Sequence, residues 1–378
     1  MKKRQEARGI CLRRRQEDFM GIALTLAKRG VGKTSPNPAV GAVLVKNDKI
    51  IGKGYHKKAG FAHAEINALR EAGREAIGAD VYATLEPCSH FGKTPPCTDA
   101  IIKAGIKKVF IGMKDPNPLV AGRGIRRLRN AGIKVEIGIL ENECKNINEA
   151  YRKYITTKTP FVTLKLASTL DGRIATCTGE SKWITGEVAR RFAHKMRAEA
   201  DAVMIGIGTV LKDNPELTTR LVKGKDPVRV VVDSRLRIPI SARVLNRKRG
   251  AIIVATTKYK GQKEKKIKAL NAKGAEVLLL PAKDGMVDLM ALIKELAKRE
   301  ITSIMIEGGS SLAASAIKGA IVDKVAIFVA PKILGKEGLP TVGNLGIKRI
   351  KNAIRLSGLE CQKLGEDILL EGYVGESH

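Results

Sequence analysis

Aromatic side chains are scarce in this 378-residue chain: they make up 4% of it, with a single tryptophan, Trp183. A surface that binds single-stranded nucleic acid by stacking needs more rings than that. Apolar runs are short, and none approaches the roughly 18 residues of a membrane helix. The basic start, MKKRQEARGICLRRRQEDF, has no apolar stretch behind its charges and does not read as a secretory signal. Of six cysteines only Cys88 and Cys97 stand close together, so no secreted disulfide framework is indicated and a reducing, cytoplasmic setting is expected. Acidic residues are in deficit, 38 against 69 Lys+Arg, for a formal charge of +31. Such a balance usually points to nucleic acid, but the basic residues are spread along the chain. A solvated, lysine-rich surface accounts for them, so no nucleic-acid partner is expected and phosphorylated small molecules are.

The length exceeds one ordinary core and predicts two domains. Residues 1–17 read as a basic extension, 18–145 as a first α/β unit, 146–160 as the linker in which a polar helix from about 141 ends, and 161–378 as a second unit. In the first, PAVGAVLV and KIIGKGYH flank Asn47 and Asp48, a pair suited to a tight hairpin. A helix follows at about 62–72, then alternating strands and helices that predict a sheet covered by helices. In the second, runs such as FVTLKLA, DAVMIGI, VRVVVDS and SIMIEGG are continuously apolar, as strands buried on both faces are. A homo-oligomer is the expected assembly.

The stretch HAEINALREAG opens an amphipathic helix with a histidine and a glutamate two residues apart, and the run VYATL ends at EPCSHFGKTPPC. Imidazole and thiolate are zinc ligands, and a catalytic site uses three so that water takes the fourth place. His63, Cys88 and Cys97 supply that set, and Glu65 is placed to carry the proton from water to a departing amine. An H-x-E with a P-C pair is the pattern of zinc nucleobase deaminases, whose cysteines are usually P-C-x-x-C. Here eight residues separate them, so the loop between must fold out and return. Lys93 and Thr94 in that loop suit a phosphate. Further on, SIMIEGGSSLAASAI reads as strand, glycine turn and helix; Gly308 and Gly309 let backbone approach a phosphate at the helix start. It lacks the full G-x-G-x-x-G pattern.

PNPAVGAV, HAE, TLEPCSHFGKTPPC and DPNPLVAGRG resemble the deaminase half of the bifunctional riboflavin-biosynthesis deaminase/reductases, the RibD (or RibG) family. TLKLASTLDGRIAT, GESKWIT, GTVLKDNPELTTR and IEGGSSLAAS resemble the reductase half. The resemblance spans about residues 18–375. It implies a cytidine-deaminase-like α/β/α sandwich followed by a dihydrofolate-reductase-like α/β domain, with Zn2+ and NADPH as cofactors. It also implies two reactions: hydrolytic deamination of a diaminopyrimidinone bearing a ribosylamino 5-phosphate, then reduction of its ribosyl group to ribityl. On the family pattern Asn37, His90 and Lys93 line the deaminase pocket. Ala167, Trp183, Thr209, Asp213, Ser234, Gly309, Ser310, Ser311, Leu312, Ala313, Ala314 and Ser315 would contact the cofactor. Ser181, Arg197, Leu217, Arg220 and Glu307 would contact the second substrate, with Lys165 near the reacting ribose. Arg197 and Arg220 are suited to grip its 5-phosphate bidentately. Asp171 in LDG reads as a turn residue, not a catalyst. Set against this, a tRNA or nucleoside deaminase with an unrelated appendage suits the charge but not the cysteine spacing or the few aromatics.

Overall fold

A computed structural model describes residues 2–91, 95–118, 120–246, 250–258 and 263–375, with side chains described from Arg13 onward. The chain forms two compact units, Met1–Lys158 and Thr159–His378.

The first unit begins with α1 (Lys2–Lys28), so the basic segment expected as an extension runs without a break into the first helix. Its sheet consists of β1 (Gly41–Lys46), β2 (Lys49–Tyr55), β3 (Asp80–Leu85), β4 (Lys108–Met113) and β5 (Lys134–Ile137), in the order β2-β1-β3-β4-β5. Asn47 and Asp48 both have positive φ, 50° and 60°, and make the expected hairpin turn. Against the sheet pack α2 (Ala64–Ala72), α3 (Cys97–Lys103), α4 (Arg123–Asn130) and α5 (Glu141–Ile147). The stretch expected to end in a linker holds another helix, α6 (Glu149–Thr157), tied to the first unit by side chains. Asn148 accepts from the Ala39 N–H at 2.8 Å and donates to the Ala39 carbonyl at 3.0 Å. The Tyr151 hydroxyl donates to Asp115 at 2.9 Å. Polar composition concealed this, because the contacts that hold α6 are themselves polar.

The second unit contains β6 (Phe161–Thr169), β7 (Arg173–Ala175), β8 (Ala202–Gly206), β9 (Val228–Val232), β10 (Ile252–Thr257), β11 (Ala275–Leu280), β12 (Ala282–Lys283), β13 (Met286–Val287), β14 (Ser303–Glu307), β15 (Lys324–Ala330), β16 (Leu339–Pro340), β17 (Leu356–Leu364) and β18 (Asp367–Val374). Nine of these form one sheet, ordered β11-β10-β9-β8-β14-β6-β15-β18-β17, parallel throughout until the antiparallel hairpin β17–β18. Successive side chains of β8 alternate between two cores, Ala202 and Met204 on one side, Val203 and Ile205 on the other. The helices are α7 (Glu187–Glu199), α8 (Ile207–Asp213), α9 (Glu264–Ala272), α10 (Leu289–Ala297) and α11 (Ser310–Lys318). Sequence reading did not pick out the β17–β18 hairpin. Most of β17 is exposed, so it lacks the apolar run that marks the inner strands.

The close fit of α2 on β2 positions the first site. A Cβ on Gly54 would lie 2.1 Å from the Ala64 carbonyl and 2.6 Å from the Ala68 nitrogen, both backbone atoms that cannot step aside alone. Gly54→Ala is therefore expected to push α2 outward, at a cost of about 1–3 kcal/mol. Thermal denaturation should show the loss, and zinc content should fall with it because α2 begins beside His63.

Candidate active sites

In the first unit three donors converge. His63 is the extended residue (φ −70°, ψ 166°) just before α2, and Cys97 is the first residue of α3. Cys88 follows β3 by three residues. The Cys97 N–H points at the Cys88 sulfur, 3.3 Å away, and the Thr98 N–H donates to the Cys88 carbonyl at 3.2 Å. His63 Nδ1 lies 3.2 Å from Cys97 Sγ and 3.6 Å from Cys88 Sγ. One ligand atom from each residue fits within 4.8 Å of the others, which is how the sequence pairs them.

The electrostatics suit a cation. The hydrogen bond from Cys97, then the His63 contact, hold the Cys88 thiol down at about 4, against the opposing effect of burial. The same bond and burial push Cys97 well up, so the pair shares one proton that a cation would displace. His63 is raised, chiefly by its bond to Cys88. Glu65, 4% exposed, is raised by burial, with the charge of His63 opposing. A borderline-soft donor set of one nitrogen and two sulfurs fits Zn2+.

Around these donors the sequence reading overlooked two residues. His56 is buried and lies edge-on to His63 with ring centres 5.3 Å apart. Its Nδ1 is 3.3 Å from the Ala62 carbonyl, and its Nε2 is 3.2 Å from the Asn37 side-chain nitrogen. A tautomer protonated at Nδ1 satisfies both contacts, leaving the Asn37 oxygen free to accept. Glu86, also buried, accepts N–H bonds from Asp115 (3.2 Å), Gly122 (3.0 Å) and Ile125 (3.2 Å), and so fixes the DPNPLVAGRG segment beside the Cys88 turn. No spacing rule connects these residues; tertiary contact does. His90 is exposed and interacts electrostatically with Asp115, while Lys93 lies outside the described residues.

In the second unit, the segments at the C-terminal ends of β6, β8 and β14 meet, as expected at a ligand-binding crevice of a parallel sheet. Lys165 on β6 stands opposite Glu307 on β14. The Nε–Nη2 edge of Arg197 holds both carboxylate oxygens of Glu307, with Nη2 to Oε2 at 2.7 Å, and its Nη1 donates to the Thr218 carbonyl at 3.0 Å. The bidentate edge expected to grip phosphate is thus engaged by Glu307; of five N–H groups, two are left over. Burial lowers Lys165, with the charge of Glu307 opposing. Glu307 is lowered because Arg197 and Lys165 outweigh its burial.

Other expected residues are distributed around this crevice. Thr209 follows β8, and its Oγ1 lies 3.3 Å from where a Gly309 Cβ would stand; Asp213 ends α8. Gly308 and Gly309 have φ of 61° and 79° and lead into Ser310 and Ser311 at the start of α11. Leu312, Ala313 and Ala314 are buried against the core, which leaves the backbone of this turn for a ligand; Ser315 is exposed. Ala167 is on β6 and Leu217 is buried. Ser234 is buried too, its hydroxyl accepting from the Val287 N–H at 2.9 Å. Ser181 is half-buried, Arg220 is exposed, and Trp183 is 59% exposed with the Arg190 guanidinium 4.7 Å from its ring centre.

Thiolate and imidazole beside a buried carboxyl equip a zinc-dependent deaminase, and in the same chain a parallel sheet frames a charged crevice of the kind nucleotide-dependent reductases use. Comparison bears out both halves. Residues 13–113 match the cytidine and deoxycytidylate deaminase zinc-binding region, and residues 160–370 match the RibD C-terminal domain. The chain is 48% identical to the riboflavin biosynthesis protein RibD of Aquifex aeolicus, over 95% of this chain and 98% of that one. With that of Escherichia coli the identity is 38%, covering 94% and 98%. Among solved structures, Acinetobacter baumannii RibD superposes with a TM-score of 0.85 at 39% identity, covering 96% of this chain and all of the other. A Thermotoga maritima diaminohydroxyphosphoribosylaminopyrimidine deaminase/5-amino-6-(5-phosphoribosylamino)uracil reductase does so with 0.84 at 39%, covering 96% and 99%. The chain belongs to the RibD family: it is a bifunctional riboflavin-biosynthesis enzyme with a zinc-binding deaminase domain and a reductase domain. Among the described residues no helix is long and apolar enough to cross a membrane.

One buried group gives the second unit a pH dependence. His194 on α7, 4% exposed and with Nδ1 lacking a hydrogen-bond partner, is pushed down to about 4 by burial, then by the charges of Arg197 and Arg220. Its folded value is below the ordinary 6.5, so the unfolded chain binds more protons between the two. The contribution to stability is complete above about 6.5 and lost as pH falls toward 4. Urea unfolding of the second unit should weaken by roughly 1–2 kcal/mol across that window, and His194→Gln should flatten the dependence.

Proposed function

We propose that the first unit deaminates 2,5-diamino-6-(5-phosphoribosylamino)pyrimidin-4-one and the second reduces 5-amino-6-(5-phosphoribosylamino)uracil to its ribityl form. The observation that carries the first reading is the meeting of His63, Cys88 and Cys97 within 4.8 Å beside buried Glu65. His63, Cys88 and Cys97 would hold zinc, which when bound would supply the Lewis acidity that makes water a nucleophile near neutral pH. Glu65, its affinity for a proton raised by burial, takes the proton from the attacking water and delivers it to the departing ammonia. His56 orients Asn37 so that its amide oxygen faces the pyrimidine. His90 and Lys93 complete the pocket, Lys93 on the substrate phosphate.

In the second unit NADPH supplies hydride when bound. Ala167, Trp183, Thr209, Asp213, Ser234 and the turn from Gly309 to Ser315 hold it, the turn through its backbone N–H groups. The ribosylamine ring must open before its C1 can be reduced, so a proton has to reach the ring oxygen. Lys165 gives it, a reading supported by its burial, its lowered pKa and its position opposite Glu307. Glu307 and Arg197 form a fixed pair that faces the sugar, with the two remaining N–H groups of Arg197 and the exposed Arg220 toward the 5-phosphate. Ser181 and Leu217 complete the substrate contacts. The basic surface attracts these phosphorylated pyrimidines and not nucleic acid, and the enzyme is a cytoplasmic homo-oligomer whose domains divide between Lys158 and Thr159.

Two experiments separate the halves. Glu65→Gln should keep about one zinc per chain while deamination falls roughly 10²–10⁴-fold and the reductase rate stays unchanged; deamination at the wild-type rate would remove Glu65 from the mechanism. A fragment beginning at Thr159 should oxidise NADPH with the deaminated uracil substrate. A folded but inactive fragment would show that the reductase needs the first unit.

A further inference from the structure

Asp171 reads from sequence as a turn residue, yet its carboxylate is occupied by a distant part of the chain. Oδ2 accepts from the Gly335 N–H at 2.8 Å and the Leu334 N–H at 3.2 Å, and Oδ1 accepts from the Thr169 hydroxyl at 2.5 Å. The Thr169 hydroxyl in turn accepts from the Arg173 N–H at 2.9 Å. These bonds, the one from Thr169 first, hold the carboxyl below the usual range, so it is ionised when it receives them.

The segment it receives, residues 331–343, is stitched to three places in succession. The Leu170 N–H donates to the Lys332 carbonyl at 2.8 Å, and the Lys332 ammonium donates to the Trp183 carbonyl at 2.8 Å. Next β16 pairs with β7, and the Thr341 N–H and hydroxyl both donate to the Gly172 carbonyl, at 3.0 and 2.8 Å. Last, the Gly343 N–H donates to the Ser310 carbonyl at 3.0 Å, in a fit so close that a Cβ on Gly343 would lie 3.1 Å from that oxygen. The strap therefore ties the turn carrying Trp183 to the first turn of α11, with the LDG turn as its middle anchor. Ile333 and Leu334 beside the anchor are 74% and 37% exposed, so burial of these two side chains gives the anchor point little support. The Asp171 carboxylate holds the Leu334 and Gly335 backbone N–H groups there.

We infer that Asp171 is a positioning residue for the reductase cofactor: acting through residues 331–343, its carboxylate fixes the backbone that sets Trp183 and the start of α11 relative to each other. This rests on the reading of Trp183 and the Gly309–Ser315 turn as NADPH contacts. Both contacts lie at ends of one strap, so loosening its anchor lets them separate and weakens binding before it affects the chemistry.

The test uses the full chain. Trp183 is the only tryptophan, so quenching of its fluorescence by NADPH measures binding directly. Asp171→Asn should raise both the dissociation constant and KM for NADPH about tenfold, equivalent to about 1.4 kcal/mol, with kcat and KM for the uracil substrate within about twofold. Hydrogen exchange at residues 332–343 of the cofactor-free protein should quicken, while deamination by the same molecule stays unchanged. Lys332→Met, which keeps the Asp171 bonds but releases Trp183, should raise the NADPH constants by a smaller factor, and it decides the matter if Asp171→Asn does not fold. NADPH affinity unaltered in either folded variant, or equal losses for cofactor and uracil substrate, would overturn the proposal. A wild-type chain that fails to bind NADPH would instead overturn the cofactor reading itself, and the inference with it, before any substitution is made.

Discussion

The Cys97 N–H reaches the sulfur of Cys88 across 3.3 Å, and the chemistry of the first unit depends on that contact. It brings the first turn of α3 onto a thiolate, so the free N–H groups of a helix start stabilise negative charge exactly where a cation must later be balanced. It also fixes the distance between two cysteines that the sequence separates by eight residues. Once Cys88 and Cys97 share a proton, His63 can lie against both sulfurs without a second negative charge building up in a half-buried site. The rest follows from the position of α2. Helix α2 presents His63 at its edge, and its first turn buries Glu65 two residues further on.

The second unit faces a different problem, that of keeping several charged side chains together in one crevice. Its answer is adjacency in a parallel sheet. Glu307 and Lys165 are register partners on neighbouring strands, and Arg197 reaches Glu307 from α7. With two cations near one carboxylate the cluster stays short of negative charge, which suits a phosphorylated substrate. His194, three residues before Arg197 on the same helix, is held toward the neutral form chiefly by burial, with the charges of Arg197 and Arg220 adding to it.

What could be read from the sequence divides along physical lines. The grouping of His63, Cys88 and Cys97 was legible because metal chemistry demands rare residue types at element ends, and the inner strands because burial on both faces leaves apolar runs. His56, Glu86 and the anchoring of α6 were not, since each works through a polar contact between segments far apart in the chain, and a histidine or glutamate in such a role looks like any other. The engagement of Arg197 with Glu307 was hidden for a related reason. Sequence shows that a guanidinium is present but not which of its edges is already taken. The exposed β17–β18 hairpin lies at the opposite extreme, with too little burial to leave a pattern.

Glu65 and Glu307 show how the fold assigns function to one residue type. Both are almost fully buried, at 4% and 8% exposure, and burial alone raises the pKa of either. In the first unit the offset is weak: His63 is the one attracting charge that counts, and the neighbouring Cys88 works against it, so Glu65 retains an affinity for protons. In the second, Arg197 and Lys165 more than reverse the effect, so Glu307 keeps its charge. A carboxyl that exchanges protons readily is suited to transfer them between water and a leaving amine, and one held ionised is suited to orient cations around a sugar. The neighbours of each glutamate, more than the glutamate itself, determine whether it holds a proton or a charge.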